Sequence, residues 1–293
     1  MIKKFAIGVD IGGSHITSAV IDLNNGKIIE SSHMRMRVNA HGTPDNIISV
    51  WSGCIANSIE QVDKTEIAGI GIAMPGPFDY EKGICFIQGQ NKYDLLYGLN
   101  IKTLLAEALQ LPEYNFRFLN DAACFLKGET FSGAAAGAKT AFGITLGTGL
   151  GSAYFADNSA EDADLWCSEF RDGMAEDYIS TRWFVNRYEA LSGRSVADVK
   201  QLSELTATDG TAQMVFDEFS QSLSDFILPI LREKNPEYVV IGGNIANAWN
   251  LFIGKVQDDV QKEFPKVKIT KAELSEEAAL IGAASLFSEE LTV

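Results

Sequence analysis

A carboxylate and two glycines stand together near the N-terminus, in Phe5-Ala6-Ile7-Gly8-Val9-Asp10-Ile11-Gly12-Gly13-Ser14-His15. Gly12 and Gly13 let the backbone take positive φ and approach a ligand closely. Their N–H groups, with the Ser14 hydroxyl, can point at an anion as a nest does. Asp10 would repel a phosphate held there unless a cation lay between them, so the pairing implies Mg²⁺. A tight hairpin with an edge Asp is the plainer alternative for this stretch taken alone. His15 is either a donor to the same anion or a solvated hairpin residue.

Glycines recur further on. Gly147-Thr148-Gly149-Leu150-Gly151 lies between two β-like runs, and Gly242-Gly243-Asn244 opens a late helix. A P-loop is excluded because Ser14 stands where that motif needs Lys. A dinucleotide fingerprint needs its last glycine to open a helix, which the strand-flanked run at 147–151 does not do, so NAD is not expected. Taken together, the turns supply two phosphate grips on facing domains and a backbone-accessible surface for an adenosine.

Composition narrows the classes. At 293 residues the chain has room for about two domains. An apolar share of 46% suits a soluble protein with real cores. A net charge of -15 argues against nucleic acid, yet leaves room for ATP bound by local backbone amides. Cys54, Cys85, Cys124 and Cys167 form no CxxC pair, so neither a disulfide framework nor a four-Cys metal site is indicated. No signal peptide and no run of about 18 apolar residues is evident. A cytoplasmic protein without membrane contact is expected.

The positioning elements follow from periodicity. β-like runs at 5–11, 16–23 and 28–38 give three consecutive antiparallel strands. Thr43-Pro44-Asp45 starts a helix, with Ile47, Ile48, Trp51, Ile55, Ile59 and Val62 on one face. A strand over 67–74 runs into Pro75-Gly76-Pro77, a helix spans 101–111, and a buried strand follows at 116–119. Asn120-Asp121 opens another helix, and strand, glycine turn, strand then repeats over 140–155. Residues 157–164 read as an acidic loop and 173–191 as one helix. Met214 to Leu231 mark a long buried helix holding Pro229, and an alanine-rich helix closes the chain over 276–286. The repeat predicts a small N-terminal domain at 1–119, with the closing segment of about 276–293 packed on it, and a larger domain at 120–275.

Asp10-Ile11-Gly12-Gly13-Ser14, Ala73-Met74-Pro75-Gly76-Pro77, Asn120-Asp121-Ala122-Ala123 and Leu146-Gly147-Thr148-Gly149-Leu150-Gly151 resemble the successive motifs of the ROK family. Val240-Ile241-Gly242-Gly243-Asn244 is similar to that family's adenosine motif, and the run from Glu277 to Ala284 to its closing helix. The family comprises sugar kinases and sugar-responsive repressors of the actin/hexokinase-like ATPase superfamily. The resemblance implies an α/β fold of duplicated ribonuclease H-like units around an interdomain cleft. It implies transfer of the ATP γ-phosphoryl to a hexose or N-acetylhexosamine hydroxyl, typically O6. Asp121 matches the family's base; as the first carboxylate of a helix it also reads as an N-cap. Asn120, Gly76 and Glu176 match sugar contacts, and Asn91 is a weaker candidate that also reads as a turn residue. Asp10 would organise Mg²⁺ through water. Gly12, Gly13, Ser14 and His15, with Gly147, Thr148 and Gly149, would hold the triphosphate, and Gly242, Gly243 and Asn244 the adenosine. A homodimer is the family expectation.

One segment departs from the pattern. The family's zinc motif, C-x-C-G-x-x-G-C-x-E with a separate His, falls on Cys167 to Glu176, where Glu169 and Met174 replace cysteines. No His follows His41, so no zinc is expected. Trp166 offers a stacking face for a sugar or a core residue. A sugar-sensing regulator and a lapsed sugar-binding protein are the competing readings.

Overall fold

The structure, a computed structural model, describes residues 3–292. It packs as two units, one running up to Gly137 and joined by Glu276 onward, the other Ala138–Ser275. The first begins β1 (Phe5–Ile11), β2 (His15–Asp22), β3 (Lys27–Ile28), β4 (Met34–Arg37), α1 (Pro44–Ile59) and β5 (Ile67–Met74). It continues with β6 (Phe78–Asp79), β7 (Ile84–Cys85), α2 (Ile101–Leu109), β8 (Phe116–Asn120) and α3 (Asp121–Ser132). The second unit runs β9 (Thr140–Leu146), β10 (Leu150–Ala156), β11 (Ser159–Asp162), β12 (Glu169–Phe170), β13 (Gly173–Met174), α4 (Ala175–Tyr178) and α5 (Thr181–Ser192). It ends with α6 (Val199–Leu205), α7 (Gly210–Lys234), β14 (Tyr238–Gly242), α8 (Ile253–Glu263) and β15 (Lys268–Lys271), after which α9 (Ala278–Ala284) returns to the first unit.

Side-chain size along β1 sets the layering of the first unit. The pleat sends alternate residues to opposite faces. Ile7, Val9 and Ile11 join Ile70, Ile72 and Met74 of β5 and Trp51 of α1 in one core. The opposite face carries Gly8, Asp10, Gly71 and Ala73, and small residues there let α9 and α3 approach. A Cβ on Gly71 would lie 1.8 Å from the carbonyl oxygen of Ala283, and one on Gly282 1.8 Å from that of Cys124. The sheet order is β3-β2-β1-β5-β8, with β4 also on β2. β1 is antiparallel to β2 and parallel to β5, which is parallel to β8. Thr43 caps α1 by accepting from the Asn46 N–H at 3.4 Å, with Pro44 in the first turn.

The second unit repeats the plan. Its sheet order is β11-β10-β9-β14-β15, with β9 antiparallel to β10, parallel to β14, and β14 parallel to β15. Phe216, Phe219 and Phe226 of α7 pack with Phe142 of β9 and Phe184 of α5 in its core. Among the described residues no helix is long and apolar enough to cross a membrane.

Several expectations are corrected. The third strand over 28–38 is two pieces, β3 and β4, because Ser32 turns inward and its hydroxyl accepts from the Val20 N–H at 2.8 Å. The loop at 157–164 contains β11, an edge strand on β10. The helix read at 173–191 breaks at Ile179, whose φ of -126° and ψ of 55° leave the helical region. Met214 is exposed. The division between units falls after Gly137 rather than Leu119. Helix α3 stays with the first unit because its Gly128 meets α9: a Cβ there would lie 2.1 Å from the Ala278 carbonyl oxygen.

Candidate active site

In the first unit the expected site residues gather at the carboxyl ends of β1, β5 and β8, where α/β sheets present ligand sites. Register from Phe5↔Asp22 to Ile11↔Ile16 leaves residues 12–15 as the hairpin turn. The Gly12 N–H donates to the His15 carbonyl at 2.9 Å, while the exposed Gly13 and Ser14 N–H groups have no partner among the described residues. Neither glycine takes positive φ, contrary to expectation; their use is to keep the turn bare of side chains. Ser14 Oγ lies 2.9 Å from His15 Nδ1. From beneath, the buried Tyr93 donates its hydroxyl to the Gly12 carbonyl at 2.6 Å, and burial raises that phenol above its ordinary pKa.

Asp10 sits on the small-residue face that α3 and α9 cover, and this explains its electrostatics. Its carboxyl is pushed up to about 6, first by lost hydration and then by the negative charge of Asp121. Arg35 opposes the shift and Glu276 adds to it; those two pair at 3.3 Å. Asn120, buried at the end of β8, is the cap of α3: its Oδ1 accepts from the N–H groups of Ala122 and Ala123 at 2.8 and 3.2 Å. With the cap assigned to Asn120, the Asp121 carboxylate remains exposed, and its Oδ1 shares the Ala122 N–H at 2.9 Å. Asn120 thus spends its oxygen on the helix, which leaves its amide hydrogens for other acceptors. Its Nδ2 donates to the Tyr80 hydroxyl at 3.4 Å, which in turn donates to the Met74 carbonyl at 3.1 Å. Tyr80 lies over Gly76, where a Cβ would come 3.3 Å from its hydroxyl. Nothing in the sequence around Tyr80 signals that role. Asn91 is exposed with φ of 57°, a turn residue.

In the second unit the glycine turn spans 147–149 between Leu146↔Leu150. Thr181 explains both its shape and the break before α5: its N–H and hydroxyl donate to the Gly147 carbonyl at 2.8 and 2.9 Å. Among the described residues the Thr148 and Gly149 N–H groups are without partners, and a Cβ on Gly147 would meet nothing within 4 Å. Glu176, expected as a sugar contact, lies against this turn: its Oε2 accepts from the Leu150 N–H at 3.0 Å, and Arg182 lies 3.7 Å from its Oε1. Gly243, with φ of 85°, abuts the end of β9; a Cβ there would sit 2.3 Å from the Leu146 carbonyl oxygen. Asn244 beside it is exposed.

The residues present do not fit zinc. Cys167 is exposed, and among the described residues no group of three His, Cys, Asp or Glu side chains is gathered to hold a metal. The segment is pinned by other means. The Arg171 guanidinium lies 5.2 and 5.1 Å from the Phe170 and Tyr178 ring centroids and pairs with Asp225 at 3.1 Å. Trp166, weighed as a core residue, is exposed and donates from Nε1 to Asp164 at 2.7 Å. Mg²⁺ asks less of the protein, one or two carboxylates beside phosphate oxygens and waters, and Asp10 next to free backbone N–H groups fits that demand.

The ROK family model matches residues 6–163 and 158–290. The glucokinase of Thermotoga maritima is 26% identical over 327 residues, covering 99% of each chain. The xylose repressor of Caldicellulosiruptor bescii is 21% identical over 323 residues, covering 97% of this chain and 78% of the repressor. Among solved structures, a ROK family glucokinase from Streptomyces griseus in complex with glucose and AMPPNP matches with a TM-score of 0.73 at 23% identity, over 96% of this chain and 98% of that one. The likeness is one of fold, the α/β actin/hexokinase-like ATPase fold.

Proposed function

The chain belongs to the ROK family, and on that footing we propose that it is an ATP-dependent sugar kinase, transferring the γ-phosphoryl group to a hydroxyl, O6, of a hexose or N-acetylhexosamine. The observation that carries this reading is an exposed carboxylate, Asp121, whose charge is felt by Asp10 at the mouth of a glycine hairpin with free N–H donors. Phosphoryl transfer asks for positioning, charge stabilisation and a proton acceptor. Asp121 would accept the hydroxyl proton. Asn120 through its amide hydrogens and Gly76 through its backbone would orient the sugar. Gly13 and Ser14, and in the other unit Thr148 and Gly149, would donate N–H groups to phosphate oxygens, with His15 a further donor. Gly242, Gly243 and Asn244 would lie along the adenosine, and Glu176 would keep the second turn in shape. Mg²⁺, when bound near Asp10, supplies the positive charge that neutralises the phosphates.

The similarity to a glucokinase over nearly all of both chains favours this reading. Similarity to a xylose repressor favours a sugar-sensing regulator instead; against it stands the net charge of -15, unsuited to DNA. Incubation with Mg·ATP and glucose, mannose, fructose, allose, GlcNAc or ManNAc, read by ³¹P NMR, should give a phosphomonoester on C6 of at least one sugar. No sugar phosphomonoester from any of them, with tight sequence-dependent DNA binding at low salt, would instead support the regulator.

A further inference from the structure

A lysine lies against the first glycine hairpin, and its neighbours fix it there. A Cβ built on Gly13 would be 3.8 Å from Lys92 Cδ, so the Lys92 stem runs beside the turn with its ammonium two bonds further on. Lys92 is half-buried and forms no ion pair or hydrogen bond with any described residue. On its C-terminal side, Tyr93 is locked: the ring meets Trp51 edge-on at 5.3 Å, the hydroxyl donates to Gly12, and the N–H donates to the Ala40 carbonyl at 2.8 Å. The Gly89 N–H donates to Asp94 Oδ1 at 2.7 Å and closes the loop around it. Asn91 and Tyr93 both hold left-handed backbone, φ of 57° and 58°, which side chains other than glycine rarely adopt. That double turn is what lets Tyr93 pass under the hairpin while Lys92 stays beside it.

The electrostatics give the placement a use. A phosphate on the free N–H groups of Gly13 and Ser14 would face Asp10 and Asp121 in a chain of net charge -15. Arg35, the cation nearest in effect to Asp10, is already engaged by Glu276. A lysine ammonium is a compact point charge suited to phosphate. We propose that Lys92 is a phosphate-contacting residue, its ammonium pairing with the nucleotide phosphate held at Gly13 and Ser14. The identity of that anion rests on the sugar-kinase reading; the placement of the lysine does not.

Calorimetric binding of Mg·ATP to the whole protein tests it. Lys92→Met keeps the stem and removes the charge, and should weaken binding about 10–100-fold, the scale of one charge-assisted contact. Its affinity should also depend less on ionic strength. Lys92→Arg should stay within about threefold of wild type. ATP should slow acylation of Lys92 in the unaltered protein, a readout independent of how the variants fold. Undiminished ATP affinity in Lys92→Met, equal losses in both variants, unprotected Lys92, or no ATP binding by wild type would each overturn the proposal. Sugar-dependent ADP release is scored separately. ATP binding that needs Lys92, without phosphorylation of any sugar, would sink the sugar-kinase reading and leave Lys92 in place.

Discussion

Asp121 and Asp10 carry the same group in different surroundings. Asp121 opens α3 exposed, relieved of capping by Asn120. Asp121→Asn should therefore lower kcat by about 10²–10⁴, the usual worth of a general base, while ATP affinity stays near wild type. Near-normal turnover in that variant would remove Asp121 from the mechanism. Asp10 is a carboxylate deprived of water, with a pKa of about 6 against an ordinary 3.8. The folded state thus binds this proton more tightly than the unfolded chain, so stability falls as pH rises through that window and the cost is complete above it. Asp10→Asn should raise the melting temperature of the ligand-free protein at pH 7.5 by several degrees, for a cost on the order of 1–3 kcal/mol. The gain should vanish toward pH 4. A melting temperature that drops, or a gain that ignores pH, would contradict the account of Asp10.

At the scale of elements, the close crossing of α9 with α3 holds the helix that Asp121 opens to the sheet. Gly282→Ala would drive a methyl group into the Cys124 carbonyl, 1.8 Å away, and should cost at least about 1–3 kcal/mol in denaturant unfolding. Gly254→Ala in α8, where nothing lies within 4 Å, is the control and should be neutral or stabilising by up to about 1 kcal/mol. Equal effects at both positions would mean that the crossing is not tight. Elements with local signals were legible in the sequence: α1 from Thr43 and Pro44, α3 from Asn120, β5 from its unbroken apolar run. Those set by distant partners were not. The break before α5 depends on Thr181 reaching Gly147, and β11 is a short polar edge strand, exposed except at Ala160, that reads as a loop. Tyr80 and Lys92 belong with these, since only the folded loop brings them to Gly76 and Gly13.

For the whole molecule, duplication of one hairpin-and-parallel-strand plan accounts for both sheets, and its echo in the two glycine runs was readable without coordinates. The units divide after Gly137 rather than Leu119 because helix α3, which comes before the second glycine run in sequence, packs by its glycine against α9. In the Cys167–Glu176 segment, onto which the family resemblance maps a zinc motif, a guanidinium lies over two aromatic rings. Zinc chelation should leave its melting temperature unchanged, whereas Arg171→Leu should lower it, by about 1–2 kcal/mol in stability; a chelator that unfolds the protein would reverse that view. The most direct test of the central claim is the initial rate of ADP release from Mg·ATP with and without each hexose and N-acetylhexosamine. The account predicts that at least one sugar raises the rate far above the sugar-free background in wild type. A rate that no sugar raises would contradict it.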